Sequence, residues 1–70
     1  MAKGLNATGR TIIEGLVQES YGGDYVREQI DQLVESDGWD WNKNLYFVRW
    51  LTRRGYVETA KHLSRYLNRG

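Results

Sequence analysis

Seventy residues without cysteine or proline limit this chain to one domain that has neither a disulfide nor a thiolate metal site. No apolar run approaches the length of a membrane-spanning helix, and no signal peptide opens the chain, so we expect a cytoplasmic or nuclear location. The net charge of +1 hides a division: residues 1–42 carry −5 from three basic and eight acidic side chains, and residues 43–70 carry +6 from seven basic and one acidic.

The first twenty residues predict a flexible arm followed by a helix. Residues 1–9 are polar and contain glycine, which is typical of a frayed terminus. Thr11 and Glu14 fit a capping box, with an earlier cap at Thr8 as the alternative, and apolar residues then recur at helical spacing to about Ser20. Gly15 weakens this helix by about 1 kcal/mol relative to alanine. The predicted buried stripe consists of Ile12, Ile13, Leu16 and Val17.

A second helix is predicted after the Gly22-Gly23 break. Asp24 is a good N-cap residue, and Arg27 is spaced to pair with Asp31 along the helix surface. The helix is expected to stop near Ser36, with Gly38 beyond its end. Its predicted buried stripe consists of Val26, Ile30, Leu33 and Val34.

The polar turn that follows contains two tryptophans, Trp39 and Trp41. One of them is expected to seal the end of the core, and the alternative is that one is exposed and anchors a partner. Asp40 or Asn42 is expected to cap a third helix. The oxygen-rich side chains here lack the spacing and the final glutamate of a calcium-binding loop, so we predict no metal site and no cofactor.

Residues 45–67 predict a helical hairpin. Gly55 stands where a helix takes a left-handed C-terminal residue, and Tyr56 and Leu51 are spaced for the hydrophobic contact that often closes such an end. Five of the nine aromatic residues lie in this stretch. Apolar positions at helical spacing flank the turn: Leu45, Val48 and Leu51 before it, and Val57, Ala60, Leu63 and Leu67 after it.

This hairpin resembles the LisH motif, which has a leucine-rich first helix, a Gly-Tyr turn and a Thr-Ala pair. The matching positions are Leu45, Val48, Trp50, Leu51, Gly55, Tyr56, Thr59, Ala60 and Leu63. LisH modules dimerise by packing two hairpins into a four-helix bundle, so the resemblance implies a role in association. The match covers about a third of the chain. With the two preceding helices, the predicted fold is a compact antiparallel all-α bundle of about four short helices.

No catalytic constellation is visible, since the single histidine, His62, has no serine or carboxylate arrangement around it in the sequence. We therefore predict a non-enzymatic interaction module without a small-molecule substrate or a membrane role. It binds itself or a larger protein through its C-terminal hairpin. The predicted contact residues are Trp39, Trp41, Trp50, Leu51, Tyr56, Leu63 and Tyr66.

The alternative is a small nucleic-acid-binding regulator. Lys61, Arg65 and Arg69 lie four residues apart and form one row on the last helix. Arg49, Arg53 and Arg54 add charge at and before the turn. The competing interpretations are an acidic protein surface as partner, and internal neutralisation by the acidic first half. A helix-turn-helix fits poorly, because a bulky leucine stands where that motif usually needs a small residue.

Overall fold

Four α-helices joined by short connections make up most of the described chain. The computed structural model describes residues 2–68, and in that part of the chain Gly4 and Glu35 form an isolated β-bridge but no strand is present. The predicted all-α bundle of four short helices is confirmed. The helices are α1 (Ala7–Gln18), α2 (Gly23–Leu33), α3 (Trp41–Arg53) and α4 (Val57–Leu67).

The helices pack as two hairpins, α1–α2 and α3–α4. Helix α2 also packs against α4, and α1 packs more sparsely against α3. Helices α2 and α4 run in the same direction, because Gly23 lies beside Thr59 and Asp31 contacts Tyr66. No helix within residues 2–68 is long and apolar enough to cross a membrane. The core consists of Leu5, Ile13, Val17, Val26, Ile30, Phe47, Leu51, Ala60 and Leu63.

Gly55 ends α3 as predicted. Its φ of +87° is left-handed, a conformation that glycine adopts without steric strain. The Gly55 N–H donates to the Thr52 carbonyl at 3.1 Å, and the Tyr56 N–H donates to the Leu51 carbonyl at 2.9 Å. This pair of bonds is a Schellman motif, which satisfies carbonyls that the helix end leaves without partners. The chain therefore reverses here and α4 returns along α3.

The start of α1 differs from the prediction. Asn6 is the N-cap, and its side-chain oxygen accepts a bond from the Gly9 N–H at 2.8 Å. The predicted capping box at Thr11 is wrong, since that hydroxyl lies within the helix and donates to the Ala7 carbonyl at 3.0 Å. Asparagine is as good a cap as threonine, so local preference alone did not separate the two sites.

The predicted flexible arm is also corrected. Leu5 is fully buried in the core, and Gly4 exchanges two backbone hydrogen bonds with Glu35 at 3.0 and 2.8 Å. The fully buried Asn44 side chain accepts from the Leu5 N–H and donates to the Leu5 carbonyl, each at 2.8 Å. Its amide also donates to the Asp40 carbonyl at 2.9 Å. The segment before α1 is thus built into the bundle; Met1 lies outside the described residues.

Helix α2 begins two residues earlier and ends sooner than predicted. Gly22 is its N-cap and supplies no side-chain bond, while Asp24 lies in the first turn and pairs with Arg27. The predicted Arg27–Asp31 pair is therefore wrong. The helix ends at Leu33, so Gly38, with φ of +76°, belongs to the connection to α3.

In the connection to α3, one of the two tryptophans packs against the protein and the other is exposed. The ring of Trp39 packs against Gly4, and its Nε1–H donates to the Ser36 carbonyl at 3.1 Å. Trp41 is 48% exposed. Asp40 caps α3 by accepting from a backbone N–H three residues on, which confirms that expectation. Trp39 therefore covers the N-terminal segment, and Trp41 faces solvent.

Thr59 provides a stability prediction. Its hydroxyl is buried at the contact of α2 with α4, and within residues 2–68 it has no hydrogen-bond partner. A buried hydroxyl without a partner is destabilising. We expect Thr59→Val to raise the free energy of unfolding by about 1 kcal/mol. Urea denaturation checks this as a higher midpoint at unchanged slope; a lower midpoint would contradict it.

Candidate binding surface

The outer side of α3, together with the residue that follows the helix, carries four of the ten basic side chains. No acidic residue occurs from Trp41 to Arg54. Asn44, Phe47 and Leu51 point into the core, so the helical period turns the basic residues outward. We call the following group the basic–aromatic face: Lys43, Tyr46, Arg49, Trp50, Arg53 and Arg54.

The cations of this face have no carboxylate partner among residues 2–68. The ion pairs found there are Arg27 with Asp24, Lys61 with Glu58, and His62 with Asp31. None of them involves α3, although eight of the nine acidic residues lie in residues 1–42. The acidic half of the chain therefore does not neutralise the basic–aromatic face by direct pairing.

Aromatic rings alternate with these cations. Tyr46 is 68% exposed, and the Arg49 guanidinium lies 5.9 Å from its ring centroid. Trp50 is half-buried; Phe47 stacks on it at 5.4 Å, and the Arg54 guanidinium lies 5.0 Å from its centroid. Phe47 precedes Trp50 by one helical turn and Arg54 follows it by one turn, so the two neighbours flank the ring. Cation–π contacts of this kind hold the guanidinium groups in place.

Two of the predicted contact residues are not available to a partner. Leu51 and Leu63 are fully buried, which corrects their assignment to a contact surface. The apolar seam of the hairpin is covered by α1 and α2 of the same chain. A pattern of buried leucines does not reveal whether the covering helices belong to the same chain or to another, and that ambiguity caused the error.

Tyr56 and Tyr66 tie the two hairpins together. The Tyr56 hydroxyl donates to the Tyr21 carbonyl at 2.5 Å, which joins the α1–α2 turn to the α3–α4 turn. The Tyr66 hydroxyl donates to Asp31 Oδ1 at 2.6 Å. Both rings are half-buried, so their main contacts are within the chain.

The cations of α4 lie next to α3 on the outside of the hairpin. Lys61 and Arg65 are exposed and line a shallow groove together with Val48 and Thr52 of α3. Lys61 also pairs with Glu58 of its own helix at 3.4 Å. The structure thus places this part of the predicted basic row on an open surface; Arg69 lies outside the described residues.

A polar cluster joins α2 to α4 on another side of the bundle. Asp31 Oδ1 accepts from the Tyr66 hydroxyl and lies 2.6 Å from His62 Nε2. Burial opposes ionisation of Asp31, but the bonds to Tyr66 and His62 and the charge of His62 outweigh it, so the pKa of Asp31 is lowered. The charged form of this carboxylate therefore stabilises the folded state.

The lowered pKa predicts how Asp31 contributes to stability. Because the pKa of Asp31 is lower in the folded state than in the unfolded state, its carboxylate stabilises the fold fully at any pH above the unfolded-state pKa. That contribution is lost as the pH falls through the folded-state pKa. We expect Asp31→Asn to reduce the free energy of unfolding at neutral pH by less than about 1 kcal/mol, since the group is partly exposed. Urea titrations of both proteins from neutral pH to below about pH 4 check whether the difference shrinks; a constant difference would contradict the prediction.

A groove runs between α1 and α3, where these two helices pack sparsely. Its volume is about 510 Å³, and Phe47 and Trp50 form its floor. Sequence reasoning missed its basic residues Arg10 and Lys43; the spacing of Lys43, Phe47 and Trp50 on one helix side was the available signal. The lining consists of Ala7, Arg10, Thr11, Glu14, Lys43, Tyr46, Phe47, Trp50 and Arg53.

Of the residues predicted from the sequence, Trp50, Arg49, Arg53 and Arg54 lie on the basic–aromatic face, separate from the polar cluster at Asp31. Trp41 is exposed but lies nine residues before Trp50, on the opposite side of α3. Comparison with known proteins does not add a relative from which to assign that surface a role. Neither a protein-family model, nor a curated protein, nor a solved structure matches this chain.

Proposed function

We propose that this chain is a small non-enzymatic binding protein that docks on an acidic surface of a larger protein through the basic–aromatic face. The observation that carries the proposal is the set of exposed α3 cations that have no carboxylate partner within residues 2–68. Aromatic residues and arginine are enriched at the centres of protein interfaces, and this face contains both. Charge complementarity would speed encounter and orient the complex.

A protein partner fits the aromatic rings better than nucleic acid bases do. Binding of a single strand depends on bases stacking on open ring faces. Phe47 stacks on Trp50 and the Arg54 guanidinium lies over the same ring, so both occupy ring surface that a base would need. The part of Trp50 that stays exposed can still pack against aliphatic side chains of a protein.

A larger partner is favoured over self-association through the hairpin seam. Leu51 and Leu63 are buried by α1 and α2, so the four-helix bundle that LisH modules form from two chains is here formed within one. A two-fold dimer built on the basic–aromatic face would also place like charges opposite each other. We therefore expect the isolated protein to sediment as a monomer at micromolar concentration.

Sedimentation of a fluorescently labelled chain in a lysate of its source organism tests the proposal. We expect a fast-sedimenting complex that survives nuclease treatment. Replacing Arg49, Arg53 and Arg54 with glutamate should weaken this complex at least about tenfold, while replacing all three with lysine should retain most of it. Circular dichroism of each variant verifies that the helices are intact. A labelled chain that stays monomeric in the lysate would refute the proposal.

The second candidate function is nucleic acid binding, which is favoured by the open position of Lys61 and Arg65 beside α3. It predicts that the chain binds duplex DNA. A plot of log affinity against log salt concentration should then have a slope of about −0.9 for each phosphate contacted. Replacing Lys61 and Arg65 with glutamate should abolish that binding and leave the helices unchanged. Fluorescence anisotropy with labelled duplex DNA measures this, and absence of binding at low salt would exclude the candidate.

A further inference from the structure

We propose that the α1–α3 groove is the docking site for an acidic amphipathic helix of the partner protein. This inference rests on the proposed function and specifies which part of the surface takes which kind of segment. The chemistry of the groove lining indicates the occupant: an apolar floor, three cations at its sides and one carboxylate.

The floor of the groove requires apolar side chains from the occupant. Phe47 and Trp50 stack on each other and both line the groove, and Tyr46 beside them is 68% exposed. Covering the exposed parts of Trp50 and Tyr46 with aliphatic groups removes apolar surface from water, which is favourable. The side chains of Ala7 and Thr11 on α1 are small, so they leave room for a segment to lie between the helices.

The charges around the floor require an acidic occupant. Arg10, Lys43 and Arg53 line the groove against a single carboxylate, Glu14. None of these three cations forms an ion pair within residues 2–68. Arg10 donates one N–H to the Leu5 carbonyl at 2.8 Å, and its guanidinium has other N–H groups that can bind a carboxylate. The acidic residues of the occupant should therefore lie opposite Arg10, Lys43 and Arg53.

A helix suits the groove better than an extended strand. The groove has no unpaired sheet edge to supply backbone partners, and a helix satisfies its own backbone groups. Lys43 and Arg53 are ten residues apart on α3, which gives a length of about 15 Å. Two to three turns of an amphipathic helix span that length and present one apolar stripe to the floor.

Peptides of defined pattern test the inference. The probe is a labelled synthetic peptide of about 14 residues. It carries leucines along one helical face and glutamates on the others. The controls are a peptide of the same composition whose leucines are scattered around the helix, and a deoxythymidine strand of about 12 nucleotides. Anisotropy gives the affinity of each for the full chain, and amide NMR shifts locate the contact.

We expect the amphipathic peptide to bind best and to shift the amides of Arg10, Lys43, Tyr46, Trp50 and Arg53. The double variant Lys43→Glu with Arg53→Glu should weaken binding at least about tenfold. The matched variant Lys61→Glu with Arg65→Glu changes the net charge equally outside the groove, and should weaken binding less than about threefold.

Four results would overturn the inference. Equal losses in the two double variants, or equal binding of the scattered peptide, would show that only net charge is recognised. Stronger binding of the deoxythymidine strand in the groove would assign it to nucleic acid instead. No shift of groove amides with any probe would leave the groove without this role.

The test separates this inference from the proposed function. If the labelled chain still enters a nuclease-resistant complex in lysate while no peptide shifts the groove amides, the groove assignment alone fails. If the peptide binds in the groove but no complex forms in lysate, the proposed function fails.

Discussion

Replacing Asn44 with alanine should destabilise the protein more than any other single change at a polar side chain. The amide makes three hydrogen bonds, two to the backbone of Leu5 and one to the Asp40 carbonyl. Removing it leaves the buried Leu5 N–H without a partner and opens a cavity, so we expect a loss of about 3 kcal/mol in the free energy of unfolding. A domain of this size has about 5 kcal/mol in total.

Asn42→Ala is the matched control for this experiment. Asn42 lies two residues earlier on the same helix with an exposed side chain, so its loss should change stability by less than about 0.5 kcal/mol. Thermal unfolding should show a midpoint lowered by more than about 10 °C for Asn44→Ala only. Hydrogen exchange should also show that the Leu5 amide has lost its protection. Similar midpoints for the two variants would contradict the assigned role.

Gly4→Ala is expected to have the second-largest effect, because a Cβ at this position would lie 2.4 Å from Trp39 Cε3 and 2.7 Å from Cδ2. These atoms belong to the body of the indole, which also donates to the Ser36 carbonyl, so the whole ring must move. Overpacking of this kind costs about 2 kcal/mol. The indole N–H signal of Trp39 in NMR spectra should shift with the loss of stability.

Gly15→Ala is the control for a glycine replaced by alanine. Apart from the backbone of α1 itself, no atom of residues 2–68 lies within 4 Å of a Cβ at Gly15, which is exposed in the middle of the helix. Alanine there should raise stability by about 1 kcal/mol, because it favours the helix. The two substitutions are therefore expected to have opposite signs. A stabilising Gly4→Ala would show that Trp39 does not depend on close approach to residue 4.

The features predicted well are those that neighbouring residues control. Gly55 ends α3 because its left-handed conformation and the two bonds that follow involve only residues 51–56. Asp40 caps α3 through a bond to a residue three positions on. Periodicity identified most of the core, although Ile12 and Val57 proved to be exposed at the edges of their stripes.

The features predicted wrongly depend on contacts between distant parts of the chain. Leu5 and Asn44 are separated by 39 positions, and neither carries a local signal for their pairing. A short polar segment with glycine is typical of a frayed terminus, but the amide of Asn44, the backbone bonds to Glu35 and the burial of Leu5 hold this one in place. In the same way, the pairing of Asp31 with Tyr66 and His62 replaced the local pair expected with Arg27.

In the candidate binding surface, too, the features set by neighbouring residues were predictable and those set by distant contacts were not. The outward cations of α3 could be predicted from helical period, because the buried residues fix which side faces away from the core. The groove could not be predicted from the sequence, because it exists only where α1 packs sparsely against α3. Whether Leu51 and Leu63 faced a partner or their own chain also depended on where α1 and α2 lie.

By itself, the amino-acid order determined the four helices, the reversal at Gly55 and the separation of charge between the two halves, because turn residues, periodicity and composition act over a few positions. Only the tertiary structure decided that the apolar seam is covered within the chain and that the cations of α3 have no carboxylate partner in residues 2–68. Those outcomes depend on the relative placement of whole helices, which long-range packing and buried hydrogen bonds select.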